Sequence, residues 1–183
     1  MDLDKLSKGG KVFVGGSVVF AIASFMSWFS VSGGGISVDV GNGFDVGFLW
    51  CTLWFIAFLA GTVILALPAF GVAGPKLPPV AFLATGAVGT LLVLLKVIIG
   101  ESDGGYGGII SVDRAAGIFV ALVGAAIVAF GGFLIFQESG GSLEDLKDMN
   151  KMKAAFNQGG GDTPPPPPPP SGMTPPPPPP PAG

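Results

Sequence analysis

One ionisable side chain, that of Lys96, lies well inside a long apolar stretch of the sequence, and it is the first candidate for chemistry. An unpaired charge inside a membrane costs several kcal/mol, so such a residue marks a candidate path for a solute or a proton. Lys96 is also near the end of its stretch, where the long stem can carry the ammonium group to the interface, with Asp45 and Glu101 as candidate ion-pair partners. We expect this snorkelling lysine and keep the solute path as the alternative.

The remaining composition argues against an active site. The chain has no histidine and one cysteine, so neither the usual zinc ligands nor an intrachain disulfide is available. Cys51 lies in an apolar run and is interpreted as a small buried hydrophobe. No nucleophile and base are visible together, so we predict that the protein is not an enzyme and has no catalytic residue, metal site or cofactor. The net charge of −3 gives no reason to expect nucleic acid binding.

A membrane must position these residues, because residues 48–70 contain no charge at all. At about 1.5 Å per residue, a helix over this range spans about 34 Å, which is enough to cross the hydrocarbon core of a bilayer. A mean hydropathy of +0.68 and a charged fraction of 11% agree with a membrane-integral chain. We therefore expect the lipid bilayer to be the first partner of this protein.

Four apolar stretches predict an all-α membrane protein, with a bundle of transmembrane helices at about residues 12–31, 48–70, 79–99 and 115–136. Residues 1–11 form a polar lead, residues 137–158 a juxtamembrane segment with a short helix, and residues 159–183 a Gly/Pro-rich tail. The lead and an Ala21-x-Ala23 site also fit a cleaved secretory signal. Because apolar character continues through Trp28 and Val31, we expect a retained helix instead.

Basic residues predict the orientation, since cytoplasmic segments of membrane proteins are enriched in lysine and arginine. Four spans place both termini and the loop around residue 76 on one side. Outside the spans, the side with both termini carries seven basic residues: Lys5, Lys8, Lys11, Lys76, Lys147, Lys151 and Lys153. The opposite side carries one basic residue, Arg114. We expect a multi-pass protein of the plasma membrane with both termini in the cytoplasm.

The first outer loop is predicted to form a small β-hairpin that caps the bundle. Ile36, Val38 and Val40 alternate with other residues before an Asn-Gly turn at 41–43. A calcium loop over residues 39–45 is the weaker alternative, because glycines occupy two positions that need side-chain oxygens. The sequence Ile-Ser-Val-Asp at 36–39 recurs at 110–113 in the second outer loop, and two such strands could pair with each other.

Two proline runs, Pro164 to Pro170 and Pro175 to Pro181, dominate the tail. The tail is predicted to be disordered, with each run forming a left-handed rod of about 22 Å at about 3.1 Å per residue. A cytoplasmic protein with an aromatic groove can bind such a rod at low entropic cost; a spacer without a fixed partner is the alternative. The short helix at about 142–156 is interpreted as solvated, with docking to lipid or a partner as its alternative.

Small residues spaced by four form a stripe along the fourth span, at Gly117, Ala121, Ala125 and Ala129. Such stripes let membrane helices approach closely. We expect this one to pack within the chain's own bundle, and keep a membrane-protein partner as the alternative.

Trp28 and the sequence GFLWC at 47–51 partly match the claudin pattern, in which a tryptophan is followed by G-L-W and two cysteines. The second cysteine is missing and Trp50 already begins a span, so only a four-helix bundle with an outer strand cap is retained from this comparison. The sequences SWF at 27–29 and GFDVGFLW at 43–50, together with the tail, resemble small four-span proteins of actinobacterial envelopes. That resemblance implies a bacterial plasma membrane protein without catalytic residues.

Taken together, these features predict a non-enzymatic integral membrane scaffold or an accessory subunit of a membrane complex. It would bind a cytoplasmic partner through its polyproline tail and contact other membrane proteins through its helices. The alternative is a small transporter or channel component that uses Lys96 and an acidic outer face, formed by Asp39, Asp45, Glu101, Asp103 and Asp113.

Overall fold

The computed structural model describes residues 6–100, 110–142 and Lys153. Its helices and strands are, in chain order, α1 Lys8–Phe25, β1 Ser27–Gly33, β2 Ile36–Asn42, α2 Leu53–Ala66, α3 Pro79–Ile99, β3 Ile110–Arg114 and α4 Ala116–Glu138. A π-helical turn, Phe48–Thr52, precedes α2, and a 3-10 turn, Leu67–Phe70, follows it. The fold is therefore mostly helical, with three short strands.

Within the described part of the chain, four helical segments are long and apolar enough to cross a membrane: Lys8–Phe25, Phe48–Phe70, Pro79–Ile99 and Ala116–Glu138. The prediction of four such helices is confirmed, and they fit a multi-pass membrane protein. Two predicted spans, 48–70 and 79–99, have the observed bounds, and the fourth helix covers Ala116–Glu138 where the sequence predicted 115–136.

The first helix differs most from its predicted range of 12–31. It begins at Lys8, because the Ser7 side chain accepts a hydrogen bond of 3.0 Å from the Gly10 N–H and so caps the helix. It ends at Phe25, and Met26 is already extended. The apolar residues that follow belong to β1 instead, since tryptophan, phenylalanine and valine fit a half-buried strand as well as a membrane helix.

α1 and α4 pack antiparallel with their backbones nearly in contact. A Cβ atom added at Gly16 would lie 2.6 Å from the Val128 nitrogen, and one added at Gly124 would lie 2.7 Å from the Phe20 nitrogen. Glycines recur at a spacing of seven along this seam, at Gly9 and Gly16 of α1 and at Gly124 and Gly131 of α4, and Gly117 continues the α4 series beside Ser27 at the start of β1. Only a residue without a side chain allows so close an approach.

Phenylalanine rings fill the middle of the bundle and join the remaining helices to this pair. The rings of Phe20 and Phe58 meet edge to face at 5.0 Å between centroids, and those of Phe13 and Phe82 at 5.5 Å. These edge-to-face contacts are the arrangement that aromatic quadrupoles favour. α3 also touches α4 directly, since a Cβ added at Gly86 would lie 2.6 Å from the Ala129 Cα.

The three strands form one antiparallel sheet in the order β2-β1-β3. The turn between β1 and β2 is Gly34–Gly35, with φ values of 60° and 81°, so the predicted hairpin turn at 41–43 is wrong. Two-residue hairpin turns of type I′ need positive φ at both positions, and these two glycines supply it. The partner of β2 is therefore β1, the segment that the sequence had assigned to a helix.

The repeated sequence Ile-Ser-Val-Asp places β2 and β3 symmetrically on the two sides of β1. Ser30 is opposite both Asp39 and Asp113, and Val31 is opposite both Val38 and Val112. The two copies thus belong to one sheet, but each pairs with β1 and not with the other copy. We call this end of the bundle the sheet end, and the opposite end, where α1 begins and α4 ends, the terminal end.

Candidate functional site

Lys96 lies in the last turn of α3 at the sheet end and is only 6% exposed. Its ammonium nitrogen is 5.5 Å from the ring centroid of Phe29 and 5.5 Å from that of Trp50. A cation over the face of an aromatic ring is attracted by the negative quadrupole, most strongly where water is excluded. The sequence predicted a lysine that reaches for the interface, and the structure places it at the end of the bundle between two rings.

One of the two rings comes from an element that sequence reasoning had placed differently, and the other lies at the start of the second span, as predicted, but in a π-helical turn. Phe29 was assigned to the first span but lies in β1, opposite Val40 and Arg114. Trp50 belongs to the π-helical turn before α2, which begins after Gly47 with a φ of 111°. A wider helical turn changes the direction of the side chains that it carries, and π-helical turns are frequent at functional sites. The pairing with Lys96 has no signal in the sequence.

Arg114 is the second cation at this end of α3, and its role was missed. Its Nε donates a hydrogen bond of 2.6 Å to the Val97 carbonyl, and its terminal nitrogen donates one of 2.9 Å to the Ile98 carbonyl. The last carbonyls of a helix lack partners within the helix and carry partial negative charge, so a guanidinium group stabilises them. Gly100, with a φ of 72°, lets the chain turn beneath this group.

The predicted ion-pair partners of Lys96 stay predictions. The Asp45 carboxylate accepts a hydrogen bond of 2.8 Å from the Asn42 N–H, and the Asn42 side chain accepts one of 2.9 Å from the Phe44 N–H. Asp45 therefore orders the turn that leads from β2 to the π-helical segment. Glu101 lies outside the described residues.

Cys51 belongs to a tightly packed cluster beneath the sheet. Its thiol is fully buried and donates a hydrogen bond of 3.4 Å to the Ser24 hydroxyl, which in turn donates one of 2.8 Å to the Phe20 carbonyl. The Trp28 indole donates to the Ala23 carbonyl at 2.9 Å. The thiol has a neutral hydroxyl beside it, which does not activate a nucleophile. Among the described residues, no three His, Cys, Asp or Glu side chains come together as metal ligands.

The small-residue stripe of α4 lies against helices of the same chain. Ala121 and Ala125 are fully buried in the core, Gly117 meets the Ser27 carbonyl, and Ala129 faces Gly86 of α3. The glycines spaced by seven make the closest contacts, and the stripe spaced by four fills the space beside them. The tail residues Pro164, Pro170, Pro175 and Pro181 and most of the predicted helix at 142–156 lie outside the described residues.

No protein-family model, no curated protein and no solved structure matches this chain. Its function is therefore inferred from its own residues and their geometry.

Proposed function

We propose that this protein is a non-enzymatic scaffold or accessory subunit of a plasma membrane complex, with both termini in the cytoplasm. The four helices anchor it in the bilayer, and the proline-rich tail binds a cytoplasmic protein. The observation that best supports this proposal is a bundle filled by its own side chains and backbone.

The middle of the bundle leaves little room for a substrate or a solute. Among the described residues, two cavities between helices have volumes of about 130 and 70 Å³ with almost entirely apolar linings, and a third, of about 350 Å³, lies beside Ser7, Pro68 and Lys76 at the terminal end. Phenylalanine rings occupy the centre, and glycine contacts close the seam between α1 and α4. A small-molecule site is usually a cavity of roughly 300–1,000 Å³ with a few converging polar groups. A packed bundle of this kind favours an anchoring role over a transporting one.

The two cations at the sheet end are both engaged in contacts that hold the fold together. Lys96 is placed between the rings of Phe29 and Trp50, so it links α3 to β1 and to the start of α2. Arg114 joins β3 to the end of α3.

The arrangement of the described lysines supports the orientation. The Gly9 N–H donates a hydrogen bond of 3.0 Å to the Glu138 carboxylate, so the start of α1 and the end of α4 lie together. Lys8 and Lys11 of α1 therefore lie at the terminal end, while the sheet end carries Arg114 and, within the last turn of α3, Lys96. By the positive-inside rule, the terminal end faces the cytoplasm and the sheet faces outward. The resemblance to small actinobacterial envelope proteins is compatible with this orientation.

The tail is suited to partner binding because its two proline runs are separated by a short, non-proline link, SGMT at 171–174. A polyproline rod is already extended and stiff, so a groove lined with aromatic residues binds it without a large loss of entropy. Two rods on one link raise the effective concentration of the second rod once the first is bound.

Affinity purification in a mild detergent tests this role of the tail. The full chain is compared with a variant in which both proline runs are replaced by Gly-Ser runs of the same length. This control keeps the number of residues in the tail and removes the stiff ligand surface. We expect at least one cytoplasmic protein to be recovered with the full chain and lost with the variant. Recovery of every partner by the Gly-Ser variant would contradict the proposed role of the tail.

One observation favours a second candidate, a small transporter or channel component. Lys96 is buried, and a buried cation within a membrane segment is a recurrent feature of solute and proton pathways. Purified protein in liposomes would show a solute flux that Lys96→Met abolishes and Lys76→Met, in the exposed loop at the opposite end, leaves intact. Flux with this pattern would displace the scaffold proposal.

A further inference from the structure

β2 is an edge strand whose apolar residues are left uncovered. Within the described residues, β2 pairs with β1 on one side and with no strand on the other. Ile36, Val38 and Val40 are 69%, 55% and 39% exposed, although all three are on the same face as the buried Phe29. Exposed β-branched residues along an open edge are characteristic of a surface that pairs with another strand.

The contacts of β1 establish which backbone groups of β2 point away from the sheet. The Trp28 carbonyl accepts a hydrogen bond of 2.9 Å from the Ala115 N–H, directly after β3, so Trp28 and Ser30 face β3 and Val31 faces β2. Since Val31 is opposite Val38, the peptide groups of Val38 bond to β1. By alternation along the strand, the N–H and C=O groups of Ser37 and Asp39 form the open edge.

This edge lacks most of the features that prevent strands from pairing. Natural edge strands are commonly protected by charged side chains, above all lysine, by proline, by a bulge or by being very short. β2 is 7 residues long, contains neither lysine nor proline, and pairs with β1 without an inserted residue between Ile36 and Val40. Its single charged residue is Asp39.

We propose that the open edge of β2 pairs with the same edge of a second copy of this chain, antiparallel and with Val38 opposite Val38 of the other copy. In this register Ser37 of each chain is opposite Asp39 of the other. Each such pair exchanges two backbone hydrogen bonds, and the serine hydroxyl can donate to the carboxylate. Ile36 then meets Val40 of the other copy, so the three exposed apolar residues of each chain form one continuous stripe.

The charge pattern selects this register over its neighbour. Centring the pair on Asp39 would place two carboxylates directly opposite each other, which is unfavourable. Centring it on Val38 separates them and gives each a hydroxyl partner. The proposed dimer joins two three-stranded sheets into one sheet of six and is independent of the tail and its partner.

The two-fold axis of such a sheet is perpendicular to it, so the faces that carry Phe29 are turned to the same side in both copies. Isologous pairing of this kind closes at a dimer and does not extend into a fibre.

Disulfide trapping in membranes tests the register. Single substitutions Val38→Cys and Ile36→Cys are made in the full chain with Cys51→Ala and oxidised with copper phenanthroline. Facing residues have Cβ atoms about 4.5–5.5 Å apart, so Val38→Cys should give a covalent dimer. Ile36→Cys, which is more exposed, should not give one, because the two cysteines at position 36 of a dimer are four residues apart in this register. Ile36→Cys mixed with Val40→Cys should restore the crosslink.

Substitutions at the edge test the hydrogen bonds and the charge. Asp39→Pro removes an outward N–H, leaves the backbone hydrogen bonds between β2 and β1, and should lower the dimer fraction at least about tenfold. Asp39→Asn keeps the N–H and should retain the dimer. Ser37→Asp opposes two carboxylates on each side and should weaken the dimer about tenfold. The exchange Ser37→Asp with Asp39→Ser restores each pairing and should restore the dimer.

Counting photobleaching steps of labelled full-length protein in liposomes measures the oligomer without any cysteine substitution. Two steps are expected for the natural sequence and one for Asp39→Pro. A natural sequence that bleaches in one step, or crosslinking that is equal at positions 36 and 38, would overturn the proposal. Strong quenching of a label on Val38→Cys by spin-labelled lipid would also overturn it, because the apolar face would then lie on the bilayer.

Discussion

Two neighbouring glycines of α1, Gly15 and Gly16, allow the helix packing to be tested with an internal control. A Cβ added at Gly16 would lie 2.6 Å from the Val128 nitrogen, 2.9 Å from the Ile127 side chain and 3.0 Å from the Gly124 carbonyl. A Cβ added at Gly15 meets nothing within 4 Å. The substitutions Gly16→Ala and Gly15→Ala therefore add the same methyl group to the same helix, and only the first is opposed by α4.

The expected effects have opposite signs. To reach an ordinary contact distance, the backbones at Gly16→Ala must separate by about 1 Å, which loosens the neighbouring glycine contacts; overpacking of this kind costs about 1–3 kcal/mol. Gly15→Ala replaces glycine by alanine in an open helix position and is expected to gain about 0.5–1 kcal/mol. The difference between the variants is about 1.5–4 kcal/mol, or about 10- to 900-fold in the unfolding equilibrium.

Reversible unfolding in mixed micelles of dodecyl maltoside and dodecyl sulfate provides the measurement, with tryptophan fluorescence as the signal. Trp28 is fully buried at the sheet end and should report loss of the native packing. Equal stability of the two alanine variants would refute the close approach of α1 and α4. A lower stability of Gly15→Ala than of Gly16→Ala would refute it as well.

Three further predictions concern single elements. Lys96→Met should change the free energy of unfolding by less than about 1 kcal/mol in the same assay, because methionine fills the space between the rings and removes a buried charge. Lys96→Ala should lower that free energy by about 2 kcal/mol, because it leaves a void. Equal losses for the two variants would contradict the packing role of the lysine stem. Arg114→Gln should lower stability by about 1 kcal/mol and speed amide exchange in the last turn of α3, since two carbonyls lose their donor; unchanged exchange there would argue against the cap. Truncation after Gly161 should leave the unfolding midpoint unchanged, because the proline runs add nothing to the core; a lowered midpoint would mean that the tail contacts the bundle.

The membrane helices could be predicted from the sequence because an uncharged apolar run leaves the backbone few alternatives. Residues 48–70 are such a run, residues 79–99 interrupt theirs only with Lys96 near the end, and the observed helices have the same bounds. The end of α1 could not be predicted in this way. Hydropathy continues unbroken past Phe25 to Val31, and the change from helix to strand depends on the pairing of β1 with β2 and with the distant β3.

The candidate site at the sheet end was only half visible in the sequence. Lys96 stood out as a charge in an apolar run, but its surroundings depend on Phe29 in a strand and Trp50 in a π-helical turn. The two glycines at 34 and 35 were a usable turn signal, and recognising them would have moved the hairpin to its observed position. The contacts of Arg114 depend on how β3 meets α3, which no local pattern specifies.

The central claim is a four-span anchor that holds its tail in the cytoplasm and its sheet outside, and cysteine labelling of whole cells tests it most directly. Ser37→Cys and Ser111→Cys, on exposed strand positions, and Ser142→Cys, after α4, are each made with Cys51→Ala and treated with an impermeant thiol reagent. The positions in β2 and β3 should label on intact cells, and position 142 should label only after the membrane is permeabilised. Labelling of position 142 on intact cells, with positions 37 and 111 protected, would contradict the orientation and the scaffold function built on it.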